Sequence, residues 1–101
     1  VFNNNMFGTI RMHQERTYPG RVSGTGLHNP DFAALARAYG GHGEIVDKTE
    51  DFAPALRRAL EHAEQRKLPA VIELRYDGNL ITPNATLETI RKQAEAAKAE
   101  R

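Results

Sequence analysis

The sequence predicts an α/β domain with a largely parallel sheet. Apolar patterns follow one another in the order strand–helix–helix–strand–helix–strand–helix, which is typical of layered α/β domains. The clearest strand, over residues 68–74, carries the apolar run Ala70-Val71-Ile72 between Lys67 and the pair Asp77-Gly78. With 101 residues, 40% hydrophobic and 27% charged, the chain has the composition of one small globular domain with a modest core.

The chain begins with two apolar residues that run into three consecutive asparagines, and an apolar-periodic segment follows. This order predicts the end of a buried strand, a polar turn and the N-terminus of a helix. Met6, Phe7 and Ile10 share one apolar face of that helix, and Gly8 permits close approach of the backbone to a ligand. We expect the helix to end before Tyr18, because the residue before a proline disfavours helical geometry.

Residues 20–26 form a glycine-rich segment, but no strand precedes it and no Gly-Lys-Ser/Thr follows, so we predict a plain surface loop. The second helix begins with Asn29 as N-cap, followed by Pro30 and Asp31. Its apolar face is predicted to comprise Phe32, Leu35, Ala36 and Tyr39, and Gly40-Gly41 ends it.

Residues 43–47 suit a short strand, and another helix follows it. That helix begins with either Thr49 or Asp51 as N-cap; the second choice places Pro54 within the first turn. Its core-facing residues are predicted to be Phe52, Leu56, Ala59, Leu60 and Ala63. The tail begins at Ile81-Thr82-Pro83, and a final helix presents the stripe Leu87, Ile90, Ala94 and Ala97.

The bulk properties exclude several classes of function. A net charge of +1 gives no electrostatic footprint for nucleic acid or for an anionic membrane. The chain has no cysteine, which excludes disulfides, zinc–thiolate sites and thiol catalysis and fits a reducing compartment, so we expect a cytoplasmic protein. No apolar run has membrane-spanning length and no signal peptide is visible. Because the chain starts with Val1 inside a predicted strand, we expect a fragment of a larger protein.

Among the candidate sites, only the asparagine turn rises above background. A helix N-terminus suits a phosphate, and asparagine oxygens suit a hard cation such as Mg²⁺. The alternative is structural, because asparagine is also a preferred turn and N-cap residue. The chain's histidines, His13, His28, His42 and His62, share no metal-ligand spacing, so we interpret them as surface or capping residues.

Three segments of the chain resemble one family of enzymes. They are Val-Phe-Asn-Asn-Asn-Met-Phe-Gly-Thr-Ile-Arg (residues 1–11), Asn-Pro-Asp-Phe-Ala-Ala-Leu-Ala (29–36) and Leu-Pro-Ala-Val-Ile-Glu-Leu (68–74). In this order they resemble the thiamine-diphosphate-dependent acetolactate synthase and benzoylformate decarboxylase superfamily. The resemblance implies a three-layer, parallel-sheet, diphosphate-binding domain that lacks its first strands. Residues 1–84 would be the C-terminal part of that domain, and residues 85–101 would form a C-terminal helix.

The resemblance also implies roles for the residues of the turn. Asn4 would give its side-chain oxygen, and Met6 its backbone carbonyl, to a Mg²⁺ ion that bridges the protein and the cofactor diphosphate. The amides of Phe7 and Gly8 would meet diphosphate oxygens. Asn3 would hold the turn rather than touch the metal. The family's Gly-Asp-Gly segment, which carries a metal-binding aspartate, is absent from this sequence.

In the family, the next helical turn faces the thiazolium ring and the substrate. These positions correspond to Thr9, Ile10 and His13, with Ile10 packed against the reacting ring. Acetolactate synthases usually carry methionine, valine and tryptophan there, so this chain departs from them at all three positions.

The resemblance implies a thiamine-diphosphate- and Mg²⁺-dependent lyase or transferase that decarboxylates or carboligates a 2-oxo acid. It also implies a homodimer or homotetramer with the cofactor at the subunit interface, and an activating glutamate in another domain. We therefore expect the isolated 101-residue piece to be inactive. Two alternatives stay open: another chemistry within the family, such as an acyl-CoA lyase, or a non-catalytic α/β interaction module whose asparagine turn is only a helix cap.

Overall fold

The computed structural model describes residues 1–101, which form four helices and five strands. In chain order these are β1 (Phe2–Asn3), α1 (Gly8–Thr17), α2 (Phe32–Ala38), β2 (His42–Val46), α3 (Thr49–Arg66), β3 (Ala70–Arg75), β4 (Leu80–Thr82), β5 (Ala85–Thr86) and α4 (Leu87–Ala99). None of the helices combines the length and apolar character needed to cross a membrane.

The chain divides into two compact units. The sheet unit comprises Val1–Asn3 and Asn29–Tyr76, and the turn unit comprises Asn4–His28 and Asp77–Arg101. The expected domain boundary between residues 84 and 85 stays a prediction.

The sheet unit is built on three parallel strands in the order β1-β3-β2, which confirms the predicted parallel sheet. The central strand brings Leu74 beside Phe2 on one side and beside Val46 on the other. The strand begins at Ala70, two residues later than predicted. Proline has no N–H to give to a ladder, and Pro69 contributes only its carbonyl, which accepts from the His42 N–H at 3.1 Å.

Helices α2 and α3 cover opposite faces of this sheet. Successive strand residues point to opposite faces. On β2, Gly43 faces α2, where a Cβ would overlap the Ala33 carbonyl, while the Glu44 carboxylate accepts from Arg58 of α3 at 2.9 Å. Helix, sheet and helix therefore form three layers, as the resemblance implies.

The predicted start and face of the second helix need correction. Asp31 is the N-cap of α2, and its carboxylate accepts from the Ala34 N–H at 2.8 Å. Asn29, the predicted cap, lies upstream of it. Ala33 is fully buried, whereas Tyr39 is 80% exposed. The close contact between α2 and β2 has room only for a small side chain, so alanine rather than the large apolar residues faces the sheet.

Helix α3 differs from its prediction in the same way. It begins at Thr49 itself, with Lys48 as the N-cap, so neither predicted cap residue is correct. Its most buried side chains are Ala55 and Ala59. The prediction that the large residues of the stripe lie in the core is wrong: Phe52, Leu56 and Leu60 are between 38% and 61% exposed. They line an apolar groove of about 420 Å³ on the sheet unit.

In the turn unit, α1 packs against α4. Leu87 and Ile90 of α4 are buried as predicted, whereas Ala97 is exposed. The tail also contains a short antiparallel hairpin, β4 and β5, that the sequence analysis missed. Strands of two or three residues carry too little alternation to be recognised by pattern.

Candidate functional site

The asparagine turn is fixed by its own side chain and by an uncommon backbone conformation. The Asn4 side-chain oxygen accepts from the Met6 N–H at 3.2 Å, which is an Asx turn. Asn5 adopts the left-handed region, with φ at +58°, where asparagine is tolerated better than most residues. The turn therefore requires asparagines for its shape as well as for any ligand.

None of the asparagines occupies the N-cap of α1. The N-cap is Phe7, which makes no side-chain capping hydrogen bond, and the first turn of the helix contains no acidic residue. The interpretation of the asparagines as N-cap residues is wrong for this helix. Its N-terminus has the partial positive charge of any helix start, and no side chain neutralises it there.

The glycine-rich segment, residues 20–26, is exposed as predicted except at one residue, which bonds to the turn. Thr25 is 3% exposed, and its carbonyl accepts from the Phe7 N–H at 2.9 Å. The Leu27 N–H donates in turn to the Asn5 carbonyl at 2.7 Å. The Phe7 amide, one of the two that the resemblance assigns to diphosphate, therefore has a protein partner, and the Gly8 amide is the first one within the helix.

Two glycines give the turn its space. A Cβ on Gly8 would lie 3.0 Å from the Asn4 side-chain nitrogen. A Cβ on Gly78 would overlap the Met6 methyl group and lie 3.3 Å from the Asn4 carbonyl. The sequence analysis treated the Asp77-Gly78 pair only as the end of a strand, so the contact of Gly78 with the turn was missed.

The three residues that the resemblance places near the substrate are exposed. Thr9, Ile10 and His13 lie at helical spacing on α1, and Ile10 is 54% exposed. Phe7 is likewise 48% exposed. The predicted apolar face of Phe7 and Ile10 is thus left largely open rather than packed in a core.

A groove of about 530 Å³ lies between α1, α4 and the start of the hairpin. Its walls comprise Met6, Arg11, Asn79, Leu87, Glu88, Arg91, Lys92 and Glu95. The charged side chains of both signs largely pair: Lys92 contacts Glu88 at 2.6 Å, and Arg91 binds Glu15. The groove therefore has no strong charge of one sign.

Glu15 fastens α1 to α4. Its side chain is fully buried and accepts from Arg91 Nε at 2.9 Å and from the Gly20 N–H at 2.9 Å. The hydrogen bond from Arg91 holds the pKa of the Glu15 carboxyl below its usual value, despite the opposing effect of burial.

Asn3 belongs to the sheet unit, where its side chain has structural partners. Its amide nitrogen donates to Glu73 at 3.2 Å, and its oxygen accepts from Asn29 at 2.8 Å. Burial raises the pKa of Glu73, but hydrogen bonds from Arg75, Asn3 and the Phe32 N–H outweigh this and leave the pKa lowered. These contacts agree with the expectation that Asn3 has a structural role.

The donor atoms of the turn fit an oxygen-coordinated divalent ion. The Asn4 amide oxygen and the Met6 carbonyl are neutral hard ligands of the kind that Mg²⁺ accepts. An amide oxygen has two lone pairs, so the bond from Met6 leaves Asn4 one to offer. No three His, Cys, Asp or Glu side chains come together in the chain as a metal site. The turn thus fits an ion that brings further ligands with it, such as phosphate oxygens and water.

A comparison with known protein families identifies the family to which the chain belongs. The family described as "Thiamine pyrophosphate enzyme, C-terminal TPP binding domain" matches residues 1–74. The chain belongs to this family. Thiamine pyrophosphate is another name for thiamine diphosphate. The match therefore confirms the thiamine-diphosphate-dependent superfamily that the sequence resembles, and with it the α/β domain class. The match includes the whole asparagine turn and α1, whereas the hairpin and α4 lie beyond it.

Known relatives of this thiamine pyrophosphate binding domain carry two different names. Sulfoacetaldehyde acetyltransferases from Castellaniella defragrans and Alcaligenes xylosoxydans xylosoxydans are 35% and 32% identical over 74 residues. The acetolactate synthase large subunit of Corynebacterium glutamicum is 35% identical over 78 residues. These alignments cover 72% to 73% of this chain but 12% of each relative. No solved structure matches the chain at a significant level.

Proposed function

We propose that this domain anchors thiamine diphosphate and Mg²⁺ in a whole protein that decarboxylates or carboligates a 2-oxo acid. The observation that carries the proposal is the position of the asparagine turn. Its two oxygen donors come immediately before a helix whose N-terminus has no capping side chain and no acidic residue. Membership of the thiamine pyrophosphate enzyme family supports the cofactor.

Asn4 and Met6 are the residues that would hold the metal. The Asn4 side-chain oxygen and the Met6 carbonyl would each serve as a ligand to Mg²⁺, an ion that would supply positive charge to offset that of the diphosphate. The helix N-terminus would hold the phosphate end of the cofactor, with the Gly8 amide as its first donor. Because Gly8 has no side chain, it does not crowd the Asn4 side-chain nitrogen, which lies 3.0 Å from its Cβ position. Phe7 contributes through its position at the N-cap, because its amide is bonded to Thr25.

When bound, thiamine diphosphate supplies the nucleophilic carbon and the electron sink that 2-oxo acid chemistry needs. The protein's part is to orient and to exclude water. Ile10 would present an apolar surface to the cofactor ring, and Thr9 and His13 would present polar groups toward the substrate. Their exposure leaves this side of α1 free to form one wall of a site completed elsewhere in the protein.

We propose that the second wall comes from another subunit, in a homodimer or homotetramer with the cofactor at the interface. Two protein ligands are also too few for a six-coordinate Mg²⁺. The isolated 101-residue chain would therefore bind the cofactor weakly and have no activity. Because the relatives carry two activities in their names, product analysis with a panel of 2-oxo acids is the way to define the reaction.

The Asn4→Ala substitution tests the metal-ligand role. We expect the whole protein carrying it to lose affinity for thiamine diphosphate in Mg²⁺ by about 100-fold or more, because removing a direct ligand should cost at least as much as altering a group that only orients one. Isothermal calorimetry measures this directly.

Asn84→Ala is the matched control, because Asn84 is an exposed asparagine of the same unit, in the hairpin turn. It should leave the affinity within about twofold of the unaltered protein. Equal affinities for Asn4→Ala and Asn84→Ala would favour the non-catalytic interaction module instead.

A further inference from the structure

We propose that Gln14 is a positioning residue for the cofactor, because it clamps the loop segment 23–27 against the asparagine turn. The inference rests on the proposed function of that turn and adds a residue outside it. Gln14 lies on α1, two turns after Gly8. It acts on the turn through the loop.

The Gln14 amide uses both of its ends on the loop. Its nitrogen donates to the Ser23 carbonyl at 2.8 Å. Its oxygen accepts from the Ser23 N–H at 3.4 Å and from the Thr25 hydroxyl at 3.2 Å. A glutamine can do this because its amide carries donors and an acceptor side by side. The loop is therefore fixed to α1 at two residues by one side chain.

The other edge of the same loop is bonded to the turn. The Thr25 carbonyl accepts from the Phe7 N–H at 2.9 Å, and the Leu27 N–H donates to the Asn5 carbonyl at 2.7 Å. Met6 lies between these two bonds, opposite Gly26 in an isolated antiparallel bridge. The proposed metal-binding carbonyl thus belongs to the residue that the loop holds on both sides.

This clamp has a task that the turn alone does not perform. Asn5 lies in the left-handed region, which costs free energy unless the surroundings hold it there. Residues that orient a metal ligand from behind typically change metal affinity by about 10-fold to 100-fold when altered. Through the bonds of Gln14 to Ser23 and Thr25, α1 orients the loop that in turn holds Met6. The N-terminus of the same helix is the end proposed to face the phosphate.

The test compares four variants of the whole protein. Gln14→Leu removes the amide, and Thr25→Val removes the hydroxyl while keeping the branched shape. Thr25→Ser keeps the hydroxyl and removes only the methyl group. Ser23→Ala is the matched control, because only main-chain atoms of Ser23 contact Gln14.

Calorimetry with thiamine diphosphate and Mg²⁺ gives the dissociation constant, and kinetics at saturating cofactor give kcat. We expect Gln14→Leu to raise the dissociation constant about 10-fold, with a smaller rise for Thr25→Val. The values for Thr25→Ser and Ser23→Ala should stay within about twofold of the unaltered protein, and kcat should change little in all four. Amide hydrogen exchange at Phe7 and Leu27 should be faster in Gln14→Leu without cofactor.

Unchanged cofactor affinity and unchanged exchange in Gln14→Leu would overturn the positioning role. If Gln14→Leu does not fold, Thr25→Val against Thr25→Ser decides the matter by the same two readouts. Failure of the unaltered protein to bind thiamine diphosphate would instead overturn the proposed function, and exchange at Phe7 and Leu27 would still report whether Gln14 clamps the turn.

Discussion

The two units of the molecule each bury one glutamate completely, but they use it differently. In the sheet unit, Glu73 lies on the central strand of a parallel ladder that the backbone already fixes. In the turn unit, Glu15 joins α1 to α4 through Arg91, where the only sheet is a short hairpin. The sheet unit is thus held by a backbone ladder together with the bonds of Glu73, whereas the turn unit has no comparable ladder and relies on the bonds of Glu15 and on the packing of Leu87 and Ile90.

This difference has a functional meaning. The residues proposed to hold the cofactor all lie in the turn unit, where side-chain bonds fix the backbone. Such bonds can orient a turn of uncommon geometry, because each one acts on a chosen residue. A regular ladder fixes register instead, which suits the sheet unit as a scaffold.

The largest effect should come from removing the close packing of the sheet unit. Gly43→Ala would bring a Cβ into the Ala33 carbonyl, a backbone atom that cannot turn aside. We expect the free energy of unfolding to fall by about 3 kcal/mol or more, the upper range for overpacking. Urea denaturation followed by circular dichroism measures it.

Gly26→Ala serves as the control for Gly43→Ala, because nothing lies within 4 Å of its Cβ position. It should change stability by less than about 1 kcal/mol. Equal losses from the two substitutions would show that close packing does not distinguish the sheet unit.

A smaller effect should follow from Glu15→Gln in the turn unit. Removing one partner of a buried pair costs about 3–5 kcal/mol, but Arg91 is 37% exposed and water can solvate it afterwards, so we expect about 2 kcal/mol. Glu88→Gln on the exposed face of α4 is the control, and its effect should be much smaller.

The same variant predicts a change in the pH dependence of stability. The pKa of Glu15 is lowered in the folded chain, so its contribution is complete above the unfolded carboxyl pKa of about 4.3 and is lost as pH falls through the folded value. Stability should fall more gently below about pH 4.3 in Glu15→Gln than in the unaltered chain. Glu73 is present in both chains, so the two differ in this respect only at Glu15. An identical dependence of stability on pH in both chains would therefore contradict the role given to Glu15.

Much of the scaffold follows from sequence pattern, because strand and helix periodicities are local. The parallel sheet and the stripe containing Leu87 and Ile90 were predicted in this way. Periodicity selects large apolar residues, however, and close contact between helix and sheet selects small ones. That is why the small Ala33 of α2 is fully buried, whereas Leu35 and Tyr39 of the predicted face are exposed.

The candidate site was less accessible to local reasoning. Spacing pointed to the asparagine turn, but only the resemblance singled out Asn4 and Met6 from its neighbours. The bonds of Thr25 to Gln14 and to Phe7 join residues 11 and 18 positions apart, and no sequence pattern predicts them. The glycine-rich character of that loop predicts an exposed segment, which holds for most of the loop but not for the buried Thr25.

The most direct test of the central claim is calorimetric titration of the whole protein with thiamine diphosphate, with and without Mg²⁺, beside the isolated 101-residue chain. We expect micromolar binding to the whole protein in Mg²⁺ that is lost when the divalent ion is chelated. We expect weak or no binding to the isolated chain. Tight binding that is indifferent to the metal, or micromolar binding to the isolated chain, would contradict the account of the turn as one part of a shared metal–diphosphate site.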